Sequence, residues 1–155
     1  MAKYITPTLT ITSNAYDATT SPGPTTSPLA VSVTDLLDVT EVSSKLIAVG
    51  TTDAVLFTAT DYTTGTTAGT DGAFIFLRNL TEGMSTTADI YIGHNPTGDG
   101  EMEDSGAADE DRLMTLKPGE FAFFPWDLEA NLHVDASAAV DGALESIVFV
   151  RTGTA

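Results

Sequence analysis

Residues 112–126, Arg112-Leu113-Met114-Thr115-Leu116-Lys117-Pro118-Gly119-Glu120-Phe121-Ala122-Phe123-Phe124-Pro125-Trp126, constrain this chain more than any other stretch. Two apolar runs flank a Pro-Gly pair. Proline presets φ at the first central position of a turn, and glycine takes a positive φ at the second without steric cost. The stretch therefore predicts a type II turn, or a bulged hairpin, between two strands.

The same alternation recurs along the chain. Ile5, Pro7, Leu9 and Ile11 alternate with Thr6, Thr8, Thr10 and Thr12, one face apolar and the other threonine. Pro7 lacks a ladder donor, so this first strand reads as an edge strand or an extended arm. Leu29, Val31 and Val33 alternate in the same way, as do Ala88, Ile90 and Ile92, and then Leu132 and Val134. Residues 45–49 and 54–59 add two more strands. Ala73 to Leu77 is continuously apolar, as expected of a central strand covered on both faces, and the last strand, Leu144 to Arg151, has bulky residues on both faces. About a sixth of the chain is threonine, a β-branched residue that favours strands while keeping an exposed face wet.

Short strands at this spacing predict an all-β chain: a single antiparallel β-sandwich, jelly-roll-like, with an extended N-terminal arm. The arm covers residues 1–28 and ends in a Pro/Thr/Ser tract incompatible with helix; the sandwich covers 29–155. Asp35 to Lys45 is the one stretch that reads as a short helix.

A chain of 155 residues buries enough surface to fold without disulfide or metal, and it has no cysteine. The first residues have no apolar core of a signal peptide, and no apolar run approaches a membrane span. The charge is lopsided, with 22 acidic residues against 6 basic and a net of −16. Such a field repels nucleic-acid phosphates and anionic membranes. It leaves basic protein surfaces, divalent cations and neutral ligands as partners, and it also serves solubility.

Residues 95–111 hold the densest carboxylates. Asp99, Glu101, Glu103 and Glu110 fall at positions 1, 3, 5 and 12 of a calcium-type loop, but Asp104 stands where that loop turns on glycine. A solvated or partner-facing acidic patch is the competing reading. His133 and Asp135 share one face of a strand, and His94 is the only other histidine. Trp126, beside Asp127 and Glu129, is either a core or interface residue or a stacking platform for a sugar, together with Tyr91; two such carboxylates are also what glycoside hydrolysis uses. Phe121, Phe123 and Phe124 read as core or subunit interface. Asn79-Leu80-Thr81 fits a glycosylation sequon. No nucleophile elbow, P-loop or zinc-protease motif occurs, and no cofactor is implied.

Three segments carry a family likeness: the opening Met1-Ala2-Lys3-Tyr4-Ile5-Thr6-Pro7-Thr8-Leu9-Thr10 with its Pro-Gly-Pro sequel; Phe74-Ile75-Phe76-Leu77-Arg78-Asn79 followed by Ile90-Tyr91-Ile92-Gly93; and Leu113 to Trp126 followed by Glu145 to Arg151. In these the chain resembles small β-sandwich structural proteins of marine tailed bacteriophages, such as those of cyanophages. The resemblance implies a non-enzymatic component of the virion and supplies no catalytic residues. Its place there, as capsid decoration, neck, tail or fibre, stays open. On this reading the chain decorates or cements a capsid as a homo-oligomer among other virion proteins, contacting neighbours through the arm residues Tyr4, Ile5, Leu9 and Ile11 and through sheet edges. The alternative is a carbohydrate- or receptor-binding module of a tail or fibre, with Trp126 and Tyr91 as ligand platforms.

Overall fold

The strands announced by the alternation form two compact units, residues 1–39 and 40–155. The structure is a computed structural model, and it describes residues 3–13, 29–34, 37–62, 72–94 and 112–151.

In the first unit, β1 (Lys3–Ile5) pairs antiparallel with the opening residues of β4 (Leu37–Val49), Tyr4 opposite Asp38. β2 (Thr8–Ser13) pairs antiparallel with β3 (Leu29–Thr34), Leu9 opposite Val33 and Ile11 opposite Val31. The expected single first strand is thus two. It breaks at Thr6–Pro7, where proline has no N–H to continue a ladder. Residues 37–45, expected as a short helix, are strand, because β4 runs without a break to Val49. Its Val39, Val42 and Val49 are β-branched and suit an extended backbone better than a helix.

The second unit is an all-β sandwich. After β4 come β5 (Ala54–Phe57), a short 3₁₀ turn (Ala59–Asp61), β6 (Ala73–Asn79), β7 (Ile90–Gly93), β8 (Arg112–Leu116), β9 (Phe121–Trp126), β10 (Leu132–Ala136) and β11 (Val140–Arg151). One sheet runs β4-β11-β6-β9 and the other β5-β10-β7-β8. Following the chain, β4, β6, β9 and β11 belong to the first sheet, and β5, β7, β8 and β10 to the second. That order is the double Greek key of a jelly roll.

The core lies between the sheets. Ile75 and Leu77 of β6, Ile90 and Ile92 of β7, and Leu144 and Val148 of β11 have at most 1 % of their surface exposed. Each such side chain contributes about 1.5–3 kcal/mol by leaving water. Trp126 closes the core at one end, where its ring packs with those of Phe57 and Tyr62 at centroid distances of 6.1 and 5.9 Å. Its indole N–H donates to the Ala130 carbonyl at 3.0 Å.

The Pro-Gly turn forms as the sequence predicts. Gly119 has φ +84°, and the Glu120 N–H donates to the Lys117 carbonyl at 2.9 Å, which closes a β-turn with glycine at its left-handed position. A side chain at 119 would also run into the Glu82 carboxylate. Behind the turn, a buried polar knot ties three connections together. Asn79 donates through Nδ2 to the Ala88 and Leu116 carbonyls, both at 2.8 Å. Its Oδ1 accepts from the Thr81 N–H at 3.0 Å and from the Thr81 hydroxyl at 2.7 Å.

Candidate functional site

Strand alternation gives each sheet an inner and an outer face, and in the β4-β11-β6-β9 sheet both faces are apolar. β6 makes the point. Ala73, Ile75, Leu77 and Asn79 are buried, while Phe74 and Phe76 between them point outward and are half-buried. β9 pairs with β6 and repeats the pattern: Ala122, Phe124 and Trp126 face the core, and Phe121, Phe123 and Pro125 face outward. In β11, Ser146, Val148 and Val150 are buried, and Glu145, Ile147, Phe149 and Arg151 alternate with them. In β4, Ile47 and Val49 pack on the core, which leaves Val42, Ser44, Leu46 and Ala48 on the outside.

Five of the seven phenylalanines therefore lie outside the sandwich core. They are organised. Phe74 stacks on Phe123, with centroids 5.6 Å apart and planes 8° apart. Phe76 stacks on Phe121 at 6.2 Å, and Phe123 meets Phe149 edge-on at 6.4 Å. Phe121 remains 60 % exposed, Phe123 40 %, and Leu46 61 %. Four strands about 4.8 Å apart, over roughly six residues each, give a footprint of about 400 Å². A patch of that size is comparable to the largest on a typical monomer, about 300–600 Å², which is often functional.

The charge on this face is unlike that of the rest. Among the described outward side chains from 42 to 48, 74 to 78, 121 to 125 and 145 to 151, the ionisable ones are Arg78, Glu145 and Arg151; Arg78 and Glu145 sit opposite one another in the ladder, and the Arg151 guanidinium lies 5.1 Å from the Phe74 ring centre. Phenylalanine and arginine are enriched at interface cores, and aspartate, glutamate and lysine are depleted there.

The outer face of the other sheet is mixed, with the exposed Val55 and Leu113 beside polar residues. His133 and Asp135 of β10 point to it, as the sequence suggests, but neither is a free surface group. His133 Nδ1 lies 2.7 Å from Asp53 Oδ2, with 12 % and 5 % of the two side chains exposed. Asp135 is buried at 6 %. Tyr91 stands opposite Asp135 in the ladder.

The sites expected from sequence fare differently. Trp126 is 6 % exposed and enclosed by aromatic neighbours, so it offers no free ring face to a sugar, and the platform reading is withdrawn for it. Its core reading stands. Tyr91 is half-buried, and the Arg112 guanidinium covers one face of its ring at 3.8 Å. Asp127 accepts the Glu129 N–H at 3.1 Å and so shapes a turn at the exposed Asp127 and Glu129, around Leu128 with φ +63°. Phe121 and Phe123 separate from Phe124 and Trp126, outside against inside. The calcium-type set Asp99, Glu101, Glu103 and Glu110 lies outside the described residues; among the described residues, no three acidic or histidine side chains converge on a point. The arm residues Tyr4, Ile5, Leu9 and Ile11 sit in β1 and β2, whose backbones pair within the chain. The sequon is structural, since Asn79 is fully buried in the polar knot. A recess of about 260 Å³, lined by Met84, Ser85, Thr86, Ala139, Val140 and Asp141, holds a single ionisable side chain.

Sequence reasoning read Phe121 and Phe123 as core or subunit interface, but it did not place Phe74, Phe76 and Phe149 beside them on one outward face. Its signal was present, in the unbroken apolar run of β6 and the bulky residues on both sides of β11. Read alone, both describe a strand buried on two sides.

No family model matches this chain, and no curated protein or solved structure matches it either. The fold itself assigns the second unit to the antiparallel jelly-roll sandwiches.

Proposed function

We propose that this chain is a non-enzymatic structural protein of a tailed-bacteriophage virion, a capsid decoration or cement protein that works by docking. One observation carries the docking part of the reading: a jelly-roll sheet apolar on its outside, with stacked phenylalanines where a solvated face carries polar residues. Jelly rolls recur in capsid proteins, which agrees with the virion setting that the sequence resemblance suggests. The acidic remainder of the surface keeps the chain soluble until the face is covered.

The carbohydrate-binding alternative loses support, because Trp126 is inside the core and Tyr91 is already stacked by arginine. The arm stays a candidate contact through its sheet edges, but its described strands are already paired within the chain, so the outer face carries more of the argument.

The test is incorporation. Particles assembled in the presence of chain carrying Phe121→Ser and Phe123→Ser should contain little of it, while unsubstituted chain co-purifies. Equal incorporation of both would overturn the proposal.

A further inference from the structure

We infer that the outer face of the β4-β11-β6-β9 sheet is covered by the same face of a second copy of this chain, as a two-fold, sheet-on-sheet dimer. The inference rests on that face being the docking surface, but not on the virion assignment.

Three observations select this occupant. First, charge: among the described outward side chains from 42 to 48, 74 to 78, 121 to 125 and 145 to 151, Arg78, Arg151 and Glu145 are the ionisable ones, a near-balanced set on a chain of −16. A basic partner would be drawn to carboxylates, and Glu145 is the one carboxylate among those described outward side chains. Copies of the chain repel one another almost everywhere else, so the face is where they can approach. Second, complementarity: a two-fold contact sets a surface against itself, and this one holds both signs of charge among its apolar rows, with Arg78 beside Glu145. Third, shape and size: two apolar sheet faces stack about 10 Å apart, as the inner faces of a sandwich do. A footprint of about 400 Å² per copy is about half the ~800 Å² per partner of a standard interface, which fits a weak, concentration-dependent dimer.

The charge argument fixes the sign of the salt effect. Two strongly acidic bodies held by an apolar contact associate better when their repulsion is screened, and the Debye length falls from roughly 10 Å to 3 Å between 0.1 M and 1 M salt. A contact held by opposite charges weakens over the same range.

Sedimentation equilibrium of the full chain, across protein concentration and from about 0.1 M to about 1 M NaCl, tests this. The expected result is a monomer–dimer equilibrium whose Kd tightens roughly tenfold with salt. Phe121→Ser on the edge strand β9 should weaken it several-fold, roughly tenfold at most, and Leu46→Ser on another strand should weaken it too. Both side chains are more exposed than buried, and an unchanged circular-dichroism spectrum and urea midpoint for the monomer would show that folding is intact. A chain that stays monomeric at high salt, a dimer indifferent to both substitutions, or a dimer loosened by salt would each overturn the inference. If the chain is monomeric and the phenylalanine variants still fail to enter particles, only the choice of occupant is wrong. If it is monomeric and they enter normally, the docking reading falls with it.

Discussion

Phe74 and Phe123, on neighbouring strands and diagonal in the ladder, stack face to face on the outside of the sandwich. One residue further along each strand, Ile75 and Phe124 are direct ladder partners that point the other way, towards the core. The sheet therefore spends its apolar side chains on two surfaces, of which the second sheet covers one. In an ordinary half-solvated antiparallel sheet the outward positions are polar. Here Phe74, Phe76, Phe121, Phe123, Ile147 and Phe149 occupy them. The stacks restrict the side-chain freedom of these rings within the single chain.

Trp126 is the only tryptophan and reports on the core alone. It should emit at short wavelength in the native chain and shift to the red on unfolding. Replacing it by alanine should cost about 3–5 kcal/mol, because a large buried ring and two aromatic contacts are lost together. Urea unfolding of Trp126→Ala, followed by circular dichroism, measures this. An emission maximum already typical of solvated indole in the native chain would contradict the buried placement.

Asn79 is held inside by two carbonyls that accept from its Nδ2 and by the N–H and hydroxyl of Thr81, which donate to its Oδ1. Replacing it by alanine leaves the Leu116 carbonyl and the Thr81 N–H in the interior without their partner, at about 3 kcal/mol in total. Asn79→Asp should be no better and is expected to be worse. Its carboxylate keeps an acceptor for Thr81 but sets a charged oxygen against the two carbonyls that Nδ2 now serves. Denaturant midpoints for the two variants give the order. An aspartate variant as stable as the parent would rule the network out as a determinant of stability.

How far the sequence could be read depended on how local each signal is. The Lys117–Glu120 turn was legible because proline and glycine act on their own backbone, and the described structure has Gly119 at the left-handed position they require. The all-β class was legible because period two survives in nearly every strand. Three things were not. Leu37 to Lys45 carries weak alternation, and it is strand because β4 pairs in a sheet, a long-range cause. Trp126 was left between core and platform because only Phe57 and Tyr62, distant in sequence, decide its burial. The outer face escaped because a strand apolar on both sides looks the same whether its second cover comes from its own chain or from another molecule.

His133 and Asp53 join β10 to the connection that precedes β5, 80 residues apart in sequence and 2.7 Å apart in space. The ladder between these strands shifts register at Leu132/His133, so side chains have more of the pairing to secure there. A hydrogen bond to a carboxylate in this setting contributes about 1.5–3 kcal/mol. Single replacements His133→Ala and Asp53→Ala, with the double variant, isolate that contribution from whatever else each side chain touches. The two losses should fall short of additivity by about 1–2 kcal/mol, since the second replacement removes a group whose partner is already gone. Hydrogen exchange should show the same bond from the backbone side, with amides of β5 losing protection in either single variant and no further in the double. Strictly additive losses, with β5 protection unchanged, would mean that the pair sits at this edge without holding it.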